Sequence, residues 1–153
     1  MSQGYYNNAE ATKNAIDDEG FYKTGDIGFF NDEGFLFIVD RKKDIMKYKG
    51  YQFNPSEIEN VIENIEGVKL VAVVGIPDSI GSDLPTAVVV RQKGFQTLSE
   101  ESVIAHVAKI LPDNKHLHGG VFFIDEMPLT PNGKIQKKIV IELVEALKVH
   151  KKS

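Results

Sequence analysis

The sequence predicts an α+β fold, a small sheet with packed helices, for most of its 153 residues. Short runs of β-branched and aromatic residues are typical of buried strands, whereas apolar residues spaced three and four apart are typical of helices that bury one face. Because these two patterns follow one another in the order βαββαβα, the helices are expected to pack on a small sheet.

The first 40 residues contain a predicted β-hairpin. Aromatic and β-branched residues across 28–39 flank the sequence Asn-Asp-Glu-Gly at 31–34, whose residue types favour a turn. The same 40 residues carry five phenylalanines, which is more aromatic surface than one hairpin can bury. We therefore expect residues 1–40 to be the edge of a larger body.

Residues 47–53 are predicted to form one short strand, and a helix follows it. Asn54 is a suitable N-cap, Pro55 suits the first helical position, and Glu57 stands three residues after the cap. Gly67 ends this helix. Its buried face is expected to consist of residues spaced three and four apart: Ile58, Val61, Ile62 and Ile65.

Three more strands and two more helices complete the pattern. Strands are predicted at 70–76, 87–91 and 121–124, with a loop over 77–85 because this interval holds two prolines and a glycine. Ser99 caps the second helix, which ends before Pro112. The last helix follows a Gly-Lys loop, and its apolar stripe is Ile139, Val140, Leu143, Val144 and Leu147.

Charge is unevenly distributed along the chain. Residues 1–40 hold eight acids and two bases, whereas residues 41–153 hold fourteen acids and sixteen bases. This change places a domain boundary between Asp40 and Arg41. The formal net charge of -4 disfavours nucleic acid as a partner.

Several kinds of site and location are excluded or disfavoured. Without cysteine the chain has no disulfide, thiolate nucleophile or cysteine-based zinc site, which fits an intracellular protein, and its four histidines lack ligand spacing, so no metal site is predicted. No apolar run approaches the roughly 20 residues of a membrane helix, and no secretory signal opens the chain.

Two lysines, Lys47 and Lys134, are candidate catalytic residues. A lysine on a loop is a mobile cation with three donors, suited to a phosphate or carboxylate whose charge changes during a reaction. By spacing alone, however, either lysine is equally compatible with a solvated turn or strand edge.

Motifs along nearly the whole chain resemble the carboxy-terminal motifs of adenylate-forming enzymes, the acyl-CoA synthetases, coumarate:CoA ligases and beetle luciferases. Residues 4–12 and 117–121 are most similar to the insect luciferase and luciferase-like acyl-CoA synthetase branch. The phosphate loop and long amino-terminal body of these enzymes are absent, so the chain resembles the last third of such an enzyme. The matching motifs are Tyr-Lys-Thr-Gly-Asp at 22–26, Asp-Arg-Lys-Lys-Asp at 40–44, Lys-Tyr-Lys-Gly-Tyr-Gln at 47–52, Asn-Pro-Ser-Glu-Ile-Glu at 54–59 and Gly-Lys at 133–134.

The resemblance implies that residues 1–40 are the tail end of an amino-terminal nucleotide-binding domain and that residues 41–153 are a carboxy-terminal catalytic lid. It also implies a two-step reaction. A carboxylic acid, fatty or aryl, reacts with ATP to give acyl-AMP and pyrophosphate, and coenzyme A then displaces AMP to give a thioester. Magnesium would be bound through ATP in the parent enzyme.

The resemblance further assigns roles to residues. Lys134 matches the lysine that serves adenylation, Asp26 matches the carboxylate that binds the ribose hydroxyls, and Arg41 matches a second nucleotide contact. Asp40 matches the hinge about which the lid swings to replace the Lys134 loop by the segment from Lys47 to Gly50. The remaining matches are Lys43, Lys47 and Gln52 near the acyl-adenylate or AMP, and Lys49 and Gly50 on a strand along the pantetheine of coenzyme A.

Other interpretations stay open. The loop at 129–132 is closer to the synthetase form than to the luciferase form, but a luciferase lid of the same family is an alternative. The chain end lacks the Ser-Lys-Leu peroxisomal address of many insect relatives, so peroxisomal and cytoplasmic locations both remain. A lid separated from its amino-terminal domain is expected to be nearly inactive. The further alternatives are an interaction module that kept the fold and an unrelated anion-binding domain.

Overall fold

The computed structural model describes residues 4–42 and 45–151. Contacts within the chain divide it into two compact units, Met1–Asp44 and Ile45–Ser153. The charge pattern placed the boundary four residues earlier, between Asp40 and Arg41.

The first unit contains one helix and one hairpin. Helix α1 (Ala9–Ala15) begins where the side-chain oxygen of Asn8 accepts a hydrogen bond from the Ala11 amide at 2.9 Å. The sequence analysis did not predict this helix. Strands β1 (Asp26–Phe30) and β2 (Leu36–Arg41) pair antiparallel, which confirms the predicted hairpin.

Apolar side chains of the first unit are unusually exposed. Phe30 is 70% exposed and Phe21 is 68% exposed. Between residues 4 and 42, no side chain that the structure describes is buried. A unit with this much aromatic surface in water has no core of its own.

The second unit begins with a hairpin and a helix. Strands β3 (Met46–Tyr48) and β4 (Tyr51–Phe53) pair antiparallel, followed by helix α2 (Pro55–Glu63). The prediction of one strand over 47–53 is therefore wrong. The chain reverses at Lys49 and Gly50, whose φ angles of 48° and 83° lie in the left-handed region. Two-residue hairpin turns need such positive φ angles.

A three-stranded sheet forms the centre of the second unit. Strands β5 (Val68–Pro77) and β6 (Asp83–Arg91) pair antiparallel, and β7 (Gly120–Phe123) pairs parallel with β6. The predicted loop over 77–85 is shorter than expected, because β6 already begins at Asp83. Pro85 fits in β6 because pairing with β7 starts only at Thr86.

Helices cover both faces of this sheet. Helix α2 and helix α3 (Glu100–Ile110) share one core with alternate β5 side chains such as Val71 and Val73. Helix α4 (Lys137–Lys151) shares a second core with the intervening β5 side chains, Ala72 and Val74. The continuous apolar run of β5 follows from burial on both faces, and the predicted α+β class is confirmed.

Candidate functional site

Asp26 and Arg41 face each other across the hairpin of the first unit. They are direct partners in the β1–β2 register, and Arg41 Nε lies 3.6 Å from Asp26 Oδ1. The Arg41 side chain is 58% exposed and that of Asp26 is 31% exposed. An ion pair this open to water adds little stability, so both groups remain available to a polar ligand.

A small pocket adjoins this pair. Its volume is about 330 Å³, and it is lined by Thr24, Gly25, Arg41 and Lys42. The Thr24 hydroxyl accepts a hydrogen bond from the Asp26 amide at 3.2 Å, and the Lys42 amide donates to the Gly25 carbonyl at 2.7 Å. The pocket therefore combines hydroxyl and cationic groups next to a carboxylate, a set that suits the hydroxyls and phosphates of a nucleotide.

The structure describes only the backbone of Asp40 and does not describe Lys43. The Asp40 backbone pairs with Ile27 next to a β-bulge between Ile27 and Gly28, and the Asp40 side chain lies outside what the structure describes. Lys43 lies outside the described residues altogether.

Tyr22 is the first residue of the motif that ends at Asp26. Its phenol has a pKa raised by the hydrogen bond with Tyr5 at 3.3 Å and by the charge of that neighbour.

Lys47 and Gln52 lie opposite each other in the hairpin of the second unit. They are direct partners between β3 and β4, and both are exposed. Side chains at such paired positions project from the same face. The structure therefore brings these two predicted residues together.

Lys49 and Gly50 form the tip of that hairpin. The sequence analysis expected them within a strand, and the structure corrects this, because their positive φ angles form the turn itself. Lys49 Nζ lies 5.1 Å from the ring centroid of Tyr48, within the range of a cation–π contact. A turn presents its backbone more openly than a strand does, which leaves the Gly50 backbone accessible.

Lys134 lies on a tight loop before α4. The Lys134 amide donates to the Thr130 hydroxyl at 3.1 Å, and the Lys134 carbonyl accepts from the Thr130 amide at 2.7 Å. Gly133, with φ of 78°, makes the reversal between them. The loop thus fixes the Lys134 backbone while its side chain stays exposed.

An anchor that the sequence analysis missed holds the end of this loop. Lys137, the first residue of α4, places Nζ 3.1 Å from Glu59 Oε1, and the same Glu59 oxygen accepts the Val73 amide at 2.8 Å. The Glu59 side chain is only 17% exposed. Glu59 stood inside a recognised motif, but nothing in the sequence paired it with Lys137.

The segments that carry Lys47 and Lys134 are anchored in different cores of the second unit. Tyr48 and Phe53, which flank the Lys49-Gly50 turn, are buried in the core beneath α2 and α3. Met127 and Ile135, which flank the Lys134 loop, pack in the core beneath α4. One sheet therefore separates the elements that carry the two lysines.

His116 and His118 make contacts within the fold, and the predicted absence of chemistry at the four histidines stays a prediction. The ring of His118 stacks on Tyr48 at a centroid distance of 4.4 Å, and His116 Nε2 lies 2.8 Å from the Leu111 carbonyl oxygen. Among residues 4–42 and 45–151, no group of three His, Asp or Glu side chains is arranged to hold a metal ion. In the same ranges, no helix is long and apolar enough to cross a membrane.

Comparison with known proteins bears on these motifs. The sequence pattern of the AMP-binding enzyme C-terminal domain matches residues 57–134, about half of the chain. The chain belongs to this family. The match includes most of α2, the three-stranded sheet, α3 and the Lys134 loop, and it confirms the suspected relation to adenylate-forming enzymes.

Individual relatives are similar over nearly the whole chain. Luciferin 4-monooxygenase of Luciola mingrelica is 43% identical over 142 residues, covering 93% of this chain and 26% of the relative. A putative acyl-coenzyme A synthetase of Emericella nidulans is 45% identical over 142 residues, covering 92% of this chain and 25% of the relative. The chain therefore spans about a quarter of the length of these proteins.

A solved structure has the same fold. ATP-bound MatB from Rhodopseudomonas palustris superposes with a TM-score of 0.82 at 35% identity, covering 92% of this chain and 28% of that protein. The adenylate-forming family, with its CoA ligases and acyl-CoA synthetases, thus accounts for both the motifs and the fold.

Proposed function

We propose that this chain is the carboxy-terminal catalytic part of an ATP-dependent acyl-CoA synthetase. Residues 41–153 would be its lid, and residues 1–40 would be the tail end of its amino-terminal nucleotide-binding domain. In this proposal Lys134 serves the formation of acyl-AMP, while Lys47, Gln52 and the Lys49-Gly50 turn serve the formation of the thioester. Asp40 would be the hinge between the two arrangements.

The observation that supports the proposal is that the segments carrying Lys47 and Lys134 are anchored in the two cores on opposite faces of one sheet. A rigid sheet cannot direct both faces at one substrate at the same time. A two-step reaction in which the lid turns between steps resolves this conflict, since each face then meets the substrate in its own step.

The first unit carries groups that suit the binding of the nucleotide in the same reaction. An exposed carboxylate at Asp26 can accept hydrogen bonds from ribose hydroxyls, and the Arg41 guanidinium can bind phosphate oxygens. Magnesium is proposed to be bound through ATP. Lys43 is proposed as a further contact near AMP.

The substrate is proposed to be a fatty or aryl acid, in a peroxisomal or cytoplasmic enzyme of fatty acid metabolism. A luciferin monooxygenase lid is the second candidate, favoured by the 43% identity to the Luciola mingrelica enzyme. The acid pocket that distinguishes these activities would belong to the amino-terminal domain, so the isolated chain is expected to be inactive.

The test is a chimera in which this chain replaces the matching last quarter of the Emericella nidulans synthetase. ATP–pyrophosphate exchange reports adenylation, and thioester formation from supplied acyl-AMP and coenzyme A reports the second step. Lys134→Ala is expected to lower adenylation by about 100-fold or more, since it removes a cation that offsets charge as two anions meet. Thioester formation should stay within about twofold, because the second step uses the opposite face.

Lys138→Ala is the matched control, since Lys138 is an exposed lysine on α4, near Lys134 but beyond the loop. It should leave both steps unchanged. Equal loss of both half-reactions in Lys134→Ala would contradict the division of labour. An active chimera that tolerates Lys134→Ala would contradict the catalytic role of this lysine.

A further inference from the structure

The outer edge of strand β3 has an unusual set of hydrogen-bond partners. Alternate amides of an antiparallel strand point to the same side, so the amides of Lys47 and Lys49 face one edge. Strand β4 pairs with the residues of β3 on the other side, and these two strands form a sheet of their own. The outer edge of β3 therefore needs acceptors from elsewhere.

Two consecutive side chains at the start of β6 supply these acceptors. Asp83 Oδ2 accepts a hydrogen bond from the Lys47 amide at 3.1 Å, and Ser82 Oγ accepts one from the Lys49 amide at 3.2 Å. Asp83 and Ser82 are both half-buried. Together they replace a neighbouring strand along the edge that leads into the Lys49-Gly50 turn.

The backbone of β5 makes room for this arrangement at Gly75. A Cβ atom at Gly75 would stand 2.8 Å from Asp83 Cβ and 2.8 Å from Met46 Sδ, closer than real Cβ atoms come to their neighbours. Asp83 and the start of β3 thus approach β5 at a position that only glycine permits. Strands β3, β5 and β6 therefore pack closely at this point.

We propose that Asp83, assisted by Ser82, is a positioning residue for thioester formation. Both residues hold the β3 amides so that the Lys49-Gly50 turn meets the thiol substrate at a fixed place. This inference rests on the proposed function of the turn. The two residues act through the hairpin backbone and are not catalytic residues themselves.

The physical reason is that this hairpin is too short to hold its own position. Each of its strands has three residues, and an isolated two-stranded hairpin is marginal in water. Buried Tyr48 and Phe53 fix its inner face, whereas the hydrogen bonds from the Lys47 and Lys49 amides fix the edge of β3. A displacement of about 1 Å at a substrate-positioning element can cost about 100-fold in rate.

The experiment uses the same chimera with the variants Asp83→Ala and Asp83→Asn. Removing the acceptor in Asp83→Ala is expected to lower kcat for thioester formation by about tenfold or more, with adenylation within about twofold. Asp83→Asn retains an amide oxygen that accepts from the Lys47 amide, so it should restore most of this rate. Asp125→Ala, an exposed aspartate away from the hairpin, is the control and should change neither step.

Three outcomes would overturn the proposal. The first is an Asp83→Ala enzyme with both half-reactions intact. The second is an Asp83→Asn enzyme as impaired as Asp83→Ala, which would mean that charge and not hydrogen-bond acceptance matters at this position. Loss of both steps in Asp83→Ala, with Asp83→Asn fully active, would indicate a general structural role and equally exclude selective positioning.

A second measurement separates this inference from the proposed function. In the present chain, amide hydrogen exchange at Lys47 should become at least about tenfold faster in Asp83→Ala, and exchange at Lys49 should do so in Ser82→Ala. Unchanged exchange at both amides would refute the anchoring itself. Faster exchange together with an inactive parent chimera would support the anchoring by Asp83 and Ser82. It would contradict only the proposed synthetase function.

Discussion

Single residues of this chain owe their positions to backbone geometry as much as to side-chain chemistry. Lys134 is fixed by two hydrogen bonds of its own backbone to Thr130, and Lys49 is fixed by the hydrogen bond that its amide donates to Ser82 Oγ. In both cases the ammonium group stays on an exposed side chain while the main chain is held. Such lysines can reach a ligand without disturbing the fold around them.

The Asp26 carboxylate gives a testable prediction for a single residue. In the chimera, Asp26→Ala should raise KM for ATP by about tenfold or more, because a hydrogen bond to a charged group contributes about 1.5–3 kcal/mol. Steady-state kinetics with varied ATP checks this. Asp32→Ala, an exposed aspartate in the turn of the same hairpin, should leave KM unchanged, and an equal rise in both variants would contradict a specific role for Asp26.

Helices and strands of this fold are joined by side chains that accept hydrogen bonds from the unpaired amides of edge strands. Strand β5 is the edge of the sheet order β5-β6-β7. Glu59 of α2 accepts the Val73 amide of β5 and also pairs with Lys137 at the start of α4. One carboxylate thus links two helices and the central sheet.

Removing that carboxylate should destabilise the second unit. Glu59→Ala leaves the buried Val73 amide without its acceptor and Lys137 without its partner, at a cost of about 1–3 kcal/mol. Urea unfolding followed by circular dichroism measures the change. Glu63→Ala removes an exposed glutamate from the same helix and should shift stability by less than about 0.5 kcal/mol; similar losses in both variants would argue against the link.

The whole molecule consists of two units with very different interiors. The second unit has a core on each face of its sheet, with Val73, Val88, Val103 and Val140 fully buried. The first unit exposes Phe21, and no side chain described between residues 4 and 42 is buried. We expect the first unit to depend on a further domain for its stability.

Hydrogen exchange tests this expectation on the chain itself. Amides of residues 4–40 should exchange with solvent at least about 100-fold faster than those of strands β5 and β6, because protection follows buried contacts. Mass spectrometry with peptide resolution gives both rates in one sample. Uniform protection across the two units would show instead that residues 1–40 fold stably without another domain.

The sequence by itself determined the three helices of the second unit, the class of fold and the family. The Asn54 cap and the Ser99 cap begin α2 and α3 as predicted. The predicted apolar stripe of α4 is buried at Val140 and Val144, whereas its members Ile139 and Leu143 are exposed. These features depend on residues within one or two turns of each other, so local patterns suffice to predict them. Helix α1 was missed although it also begins at an asparagine cap, since its residues bury no apolar face.

Only the tertiary structure decided how the candidate residues are held. The turn at Lys49-Gly50 cuts a predicted strand in two, the two lysine-bearing segments are anchored in cores on opposite faces of the sheet, and Asp83 anchors an amide 36 positions away. The Glu59 link to Lys137 likewise joins two separate helices. Such contacts join segments distant in the chain, and one sequence shows the residues but not which of them meet, because packing of the complete core selects the pairs.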